Sequence, residues 1–221
     1  MVRAVDRVYA LLRAAILNGD YQPGAKLSET ELSEFTGSSR TPVREALRRL
    51  EAEGLVEVPP HRGARVASWA RADLEEIYDL RMLLEGYAAQ RAAERITPEA
   101  VDRMAELCDL IEAVAYPGPD QDLERVAELN TEFHGIARDA AANNRLVTML
   151  NAVVQLPLVV RTFHRYSAVD LVRSCAHHRD LVSALRAGDG LWAQSVMRAH
   201  VLAAKAFLLE ESDMKATEGD E

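Results

Sequence analysis

The sequence is poor in the residues that staple small folds or fill sheets. Cys108 and Cys175 are the only cysteines in 221 residues. Their spacing is no zinc motif, and a disulfide between them is open but not needed. Both sit in apolar, helix-like contexts, where a buried free thiol is the expected state. Aromatic residues make up 5% of the chain, while Ala, Leu, Arg and Glu dominate, a mixture that favours helices over strands. Long apolar runs are also missing. The most apolar stretch, Val153 to Val160, is interrupted by Gln155 and Pro157, so no membrane span is expected. The first twenty residues interleave charges with apolar side chains and lack both the apolar core and the cleavage pattern of a secretory signal. A reducing, cytoplasmic location is the expectation.

What is present is a chain long enough for two domains, with 48% hydrophobic residues and a net charge of −9. That charge taken alone argues against a nucleic-acid partner, but it is unevenly spread. Residues 1–70 carry ten Lys/Arg against nine Asp/Glu, and the remainder is strongly acidic. A DNA-binding segment attached to an acidic domain has this profile, because only the docking face must be positive.

The hydrophobic period predicts a first helix over 2–18, ended by Gly19 and the Pro23-Gly24 turn. A short helix follows from Ser28 to Phe35, with Ser28 and Glu31 spaced as a capping box. After the Gly37-Ser38-Ser39 turn a third helix is expected to open at Thr41-Pro42 and stop before Gly54. Leu55–Val58 and Ala64–Ala67 alternate around the turn at 59–63 and predict a β-hairpin. From Ala70 onward every segment reads as helix, with spans near 71–95, 98–115, 121–142, 145–165, 168–187 and 190–211. The fold class is therefore mainly α. A winged helix-turn-helix occupies 1–69 and an all-helical bundle 70–212, and an acidic tail over 213–221 is expected to be disordered.

Helix, short helix, Gly-bearing turn, helix and hairpin form the plan of a winged DNA-binding domain. Arg40, Thr41 and Arg44 fall at the tip of the third helix, with Arg48 and Arg49 further along. An arginine fork can bond two acceptors on a guanine edge or clamp a phosphate. His61, Arg62 and Gly63 fall at the wing tip, where glycine lets the backbone come close to a groove. In the second half, Asn130 and His134 stand four apart on one helix face. His178 and His200 lie on two later helices.

The string Gly37-Ser38-Ser39-Arg40-Thr41-Pro42-Val43-Arg44-Glu45-Ala46-Leu47, with the wing His61-Arg62-Gly63, resembles the GntR family of bacterial regulators. The remainder resembles the FadR subfamily and its helical ligand domain, FCD. That resemblance implies base and phosphate contacts by Arg40 and Arg44, a phosphate contact by Thr41 and a wing contact by His61 and Gly63. Thr30 stands where relatives often carry Arg or Lys. Asn130-x-x-Phe133-His134, His178-Arg179 and Met197-x-x-His200 resemble the metal-binding version of FCD. Carried over, the ligands are Asn130, His134, His178 and His200. Zinc suits such donors, as do nickel and other first-row ions. Relatives of this kind bind small organic acids beside the metal. Arg81 and Glu85 match the family's Arg-x-x-x-Glu position, so Arg81 is a candidate for holding an acidic effector, or else an intrahelical surface pair.

The function expected from these readings is that of a ligand-responsive repressor. It would bind double-stranded DNA at a palindromic operator as a homodimer, carry a divalent ion and respond to a small carboxylate. Two alternatives remain: a regulator that senses the metal itself, and a metal-dependent hydrolase. Against the hydrolase, no carboxylate is expected beside the ligands, since Glu132 points away from the His134 face.

Overall fold

A computed structural model describes residues 4–59, 62–154 and 156–218; for 156, 157, 161 and 211–218 it describes only the backbone. The chain divides into two compact units. One is Met1–Ala70 with Leu156–His164, and the other is Arg71–Gln155 with Arg165–Glu221.

The first unit holds α1 (Ala4–Asn18), β1 (Lys26–Leu27), α2 (Glu29–Thr36), α3 (Arg40–Ala52), β2 (Val56–Glu57) and β3 (Ala64–Val66). Val8, Leu12 and Ile16 of α1 recur at helical spacing. They are buried together with Val43, Ala46, Leu47 and Leu50 of α3, and the two helices pack on one another. Gly37 takes a left-handed conformation (φ 61°) and its N–H returns to the last turn of α2, the ordinary glycine stop that leaves α3 free to set off in a new direction. Two cap assignments differ from expectation. Ser28 is the N-cap of α2, yet its side chain makes no cap bond, so the Ser28–Glu31 box does not form. Its backbone is extended and continues β1. The N-cap of α3 is Ser39 rather than Thr41. Pro42 is still accommodated, because first-turn residues have no intrahelical use for an N–H. The expected hairpin is present as the middle and one edge of a three-stranded sheet, ordered β1-β3-β2. Lys26 pairs with Arg65 and Val56 with Val66. A two-residue strand such as β1 leaves no periodic signal in sequence.

The second unit is built from α4 (Arg71–Ala93), α5 (Pro98–Ala115), α6 (Leu123–Ala140), α7 (Asn144–Val153), α9 (Ala168–Arg186) and α10 (Gly190–Glu218). Thr97 caps α5 by accepting from Ala100 N–H at 3.3 Å, with Pro98 beside it. Ser167 and Asp170 form a full capping box on α9. Helix α4 is the central element and packs on α6, α7, α9 and α10. Its buried Gly86, Ala88, Ala89, Ala92 and Ala93 permit close approach. A Cβ at Gly86 would come within 2.9 Å of Arg198 Cγ on α10.

The single helix expected over 145–165 is two helices, α7 and α8 (Leu156–Arg165). Pro157 explains the break: in the first turn of α8 its missing N–H costs nothing, whereas in a continuous helix it would lose a hydrogen bond and clash with the carbonyl four residues back. Residues 156–164 group with the first compact unit, although they fall within the span 70–212 that the sequence assigns to the helical domain. At the other end α10 continues to Glu218, past the limit at 212 and into the tail expected to be disordered. Lys215, Ala216 and Glu218 are good helix formers, and no Gly or Pro intervenes before Gly219.

Candidate metal centre and nucleic-acid interface

Helix α3 is strongly amphipathic. Val43, Ala46, Leu47 and Leu50 are buried, and Arg40, Thr41, Arg44 and Arg48 are exposed. Two of these arginines already have partners on α2. Arg44 donates to both oxygens of Glu29, from Nε at 2.9 Å and from Nη2 at 2.7 Å. This bidentate bond raises the pKa of Arg44 and lowers that of Glu29. Arg40 Nη2 donates to the Thr30 hydroxyl at 3.2 Å. Arg49 instead pairs with Asp6 of α1 at 2.9 Å, an exposed pair between the two helices. Lys26, Glu29, Arg44, Arg48, Val58 and Gly63 line a groove of about 480 Å³ between α3 and the sheet. At the wing, Arg62 and Gly63 are exposed and Gly63 has φ 73°. His61 lies outside the described residues. The Glu29 and Thr30 contacts are not signalled by sequence, because they depend on the crossing of α2 and α3.

In the helical unit, α6, α9 and α10 bring three of the sequence-selected histidines to one point. One ligand nitrogen from each of His134, His178 and His200 lies within 4.8 Å of the others. Ring centroids are 5.3 Å apart for His134–His178, 5.1 Å for His134–His200 and 4.9 Å for His178–His200. Asn130, one turn before His134, is buried, and its Oδ1 has no hydrogen-bond partner. The same holds for Nδ1 of His134 and His200 and for both ring nitrogens of His178. Phe133 packs on the His178 ring at 4.5 Å. The half-buried His177 also comes within 5.8 Å of the His200 ring, although adjacency in sequence predicts that it faces elsewhere.

Burial is the first cause of low basicity here. It pushes His134 from 6.5 down to about 3, helped by the positive charges of Arg81 and Arg138. His178 and His200 are likewise driven well below the ordinary histidine value, first by burial and then by neighbouring histidines, His134 and His177 beside His178, and these two with His178 beside His200. All three are therefore neutral imidazoles at pH 7, the form that ligates metal.

Orphaned buried polar atoms cost free energy, and the three histidines that carry most of them come together from three helices. The donor set fits a first-row divalent ion. The separations of the ring nitrogens, all within 4.8 Å, are compatible with the roughly 3.3 Å implied by Zn–N bonds of about 2.0–2.1 Å in a tetrahedron.

Arg81 and Glu85 sit at this site on α4. They are not a surface pair, being 8% and 7% exposed. Arg81 Nε donates to Glu85 Oε1 at 2.7 Å, and the guanidinium carbon lies 4.7 Å from the centre of the Tyr78 ring. Burial disfavours the charge on Arg81, but Glu85 outweighs it and the pKa is raised. The other oxygen, Glu85 Oε2, lies 3.9 Å from His134 Nδ1. The expectation of no carboxylate beside the ligands is thus corrected: one comes from α4, a helix whose phase relative to α6 is invisible in sequence. Glu132 does point elsewhere, accepting from Arg103 at 2.8 and 3.0 Å.

Comparison with known proteins agrees with both halves. Residues 4–66 match the description "Bacterial regulatory proteins, gntR family" and residues 76–203 match "FCD domain". An uncharacterised HTH-type transcriptional regulator of Agrobacterium vitis is 37% identical over 130 residues, covering 59% of this chain and 76% of that protein. A probable D-xylose utilization operon transcriptional repressor of Paenarthrobacter nicotinovorans is 35% identical over 190 residues, covering 85% of this chain and 81% of the relative. Among solved structures, E. coli McbR/YncC superposes with a TM-score of 0.63 at 25% identity, covering 96% of this chain and 99% of that one. These domains are those of transcription regulators and not of enzymes. No single helix among the described residues is long and apolar enough to cross a membrane. The chain belongs to the GntR family of bacterial transcription regulators, in the FadR-like branch that carries an FCD domain.

Proposed function

We propose that this regulator is a cytoplasmic, homodimeric repressor of a palindromic operator, and that its helical domain holds one divalent ion and answers to a small carboxylate. The observation that carries the reading is that His134, His178 and His200 each bring a ring nitrogen within 4.8 Å of the others, with the buried, unpartnered Oδ1 of Asn130 one turn before His134. Zinc is the first choice, with nickel or another first-row ion as alternatives. A bound ion would supply positive charge and open coordination positions for an acid. The residues around it add little negative charge. The imidazoles are neutral, Asn130 is neutral where relatives often have Asp, and Glu85 is already matched by Arg81. The loaded site would carry a surplus positive charge, which selects an anion. Arg81, proposed as an effector residue, would act chiefly through its field, because its Nε is committed to Glu85.

On the DNA side, Arg40, Thr41, Arg44 and Arg48 would meet the major groove and its phosphates, with His61, Arg62 and Gly63 at the wing. Leu80, Leu83 and Tyr87 lie along one face of α4 and are 47%, 52% and 43% exposed. Such an apolar stripe supports pairing with a second copy.

The test is a thermal-shift screen of small carboxylates against the purified protein, with and without zinc, followed by gel shifts with the responding acid. Zinc-dependent stabilisation by an acid that also changes DNA affinity is expected. If removing the metal alone releases DNA and no acid has an effect, the ion itself is the signal.

A further inference from the structure

Glu85 is shared between two groups that need it differently. Its Oε1 accepts from Arg81 Nε at 2.7 Å, and its Oε2 faces His134 Nδ1 at 3.9 Å. His134 Nδ1 is buried and has no hydrogen-bond partner, and Glu85 is 7% exposed. A structural ion pair for Arg81 would use both carboxylate oxygens on the guanidinium, or turn the second one to water. Here the second oxygen points across to α6, at the first of the three converging histidines.

We propose that Glu85 is the positioning residue of the His134 ligand, with Arg81 as its anchor. Accepting a proton held on Nδ1, the carboxylate fixes the tautomer in which Nε2 carries the lone pair, and so aims that nitrogen at the ion. Closing 3.9 Å to a hydrogen bond takes about 1 Å of movement, within reach of a small rotation of either side chain. Arg81, held against Tyr78, keeps the carboxylate from swinging away. Partners of this kind orient an imidazole, raise its donor strength and improve metal affinity by about 10–100-fold. The chain Tyr78–Arg81–Glu85–His134 would then join α4 to the ligand set, although none of its first three members touches the ion. The inference rests on the reading of His134, His178 and His200 as a metal centre.

Two measurements test it. The first is a zinc titration against a chromophoric chelator for the wild type and Glu85→Gln, with Co²⁺ absorption spectra of both and circular dichroism to check the fold. The folded variant is expected to bind zinc about 10–100-fold more weakly and to show a changed Co²⁺ spectrum. Affinity within twofold and an unchanged spectrum would overturn the role and leave Glu85 as the counter-charge of Arg81 alone. The second needs no variant: long-range ¹H–¹⁵N NMR of the wild-type imidazoles. His134 is expected to carry its proton on Nδ1 in the metal-free protein, and to keep it there while Nε2 binds zinc. A proton on Nε2, or coordination through Nδ1, would overturn the proposal. A wild type that takes up no zinc would sink the metal centre instead, and the metal-free tautomer would still decide the contact between Glu85 and His134.

Discussion

Arg44 and Glu29 form a bidentate ion pair across the helix-turn-helix, with bonds of 2.9 and 2.7 Å. An arginine proposed to meet DNA is therefore bound to an acid on the preceding helix. To reach a base or phosphate it must leave Glu29 or share the guanidinium. Arg44→Ala is expected to weaken operator binding about ten- to a hundredfold, the range for losing one bidentate contact, with little change in thermal stability. Glu29→Gln should do the opposite on nonspecific duplex, tightening binding a few-fold at low salt and steepening the salt dependence by about one phosphate's worth. Gel shifts over a salt series read both. An Arg44→Ala protein within twofold of wild type on its true operator would remove Arg44 from the interface.

The Arg44 pair also marks how far the sequence could be read. The position of Arg44 on the exposed face of α3 follows from the spacing of Val43, Leu47 and Leu50, a local pattern. The three histidines were legible too, through the resemblance of Asn130-x-x-Phe133-His134, His178-Arg179 and Met197-x-x-His200 to the metal-binding version of FCD. Glu29 on Arg44 and Glu85 near His134 were not, since both depend on how two helices cross. The same limit explains β1, which gains its two bonded residues only once β3 lies beside it. It also explains Pro157. The sequence shows the breaker, but only tertiary packing shows that residues 156–164 go with the first unit.

The proposed dimer would use the exposed face of α4. Leu80, Leu83 and Tyr87 are spaced to form a single apolar stripe, and a single reading helix per chain makes few phosphate contacts. Joining two half-sites makes the second contact intramolecular and raises avidity. Light scattering at micromolar concentration is expected to report a dimer, and Leu83→Glu to shift it towards monomer with loss of tight operator binding. A wild-type monomer that still grips a palindrome tightly would contradict this.

The metal-free protein should be acid-sensitive, and the sign can be worked out from His134. Its pKa is 6.5 in the unfolded chain and about 3 when folded. Below pH 6.5 the unfolded state takes up a proton that the folded state refuses, so stability is complete above that value and is lost as pH falls towards 3. At pH 5 this amounts to about 2 kcal/mol for one such imidazole, and His178 and His200 act in the same direction. Denaturant midpoints of chelator-treated protein are expected to fall steadily from pH 7 to pH 5, and His134→Leu should flatten the slope. A profile flat over that interval would show that these rings accept protons in the fold.

The metal itself gives the last prediction. Asn130, His134, His178 and His200 bring five buried nitrogen and oxygen atoms without hydrogen-bond partners into one region of the helical unit. An ion that takes one atom from each of these four side chains would bind the folded state and not the unfolded one, so it must stabilise by mass action, by about 2.7 kcal/mol at a hundredfold excess over its Kd. Zinc or nickel should therefore raise the melting temperature of chelator-treated protein by several degrees, and elemental analysis of unchelated protein should find close to one ion per chain. His200→Ala and His134→Ala should each lower metal content and erase the zinc-dependent rise in melting temperature. The response to carboxylates should disappear with it, because the acid is held by the ion and the surplus charge around it. Because Arg81 already occupies Glu85, that carboxylate is a poor general base, and no hydrolase turnover is expected from the loaded protein. If His200→Ala lost its metal but bound acids as tightly as wild type, the ion would be structural and the sensing would fall to Arg81 and its neighbours.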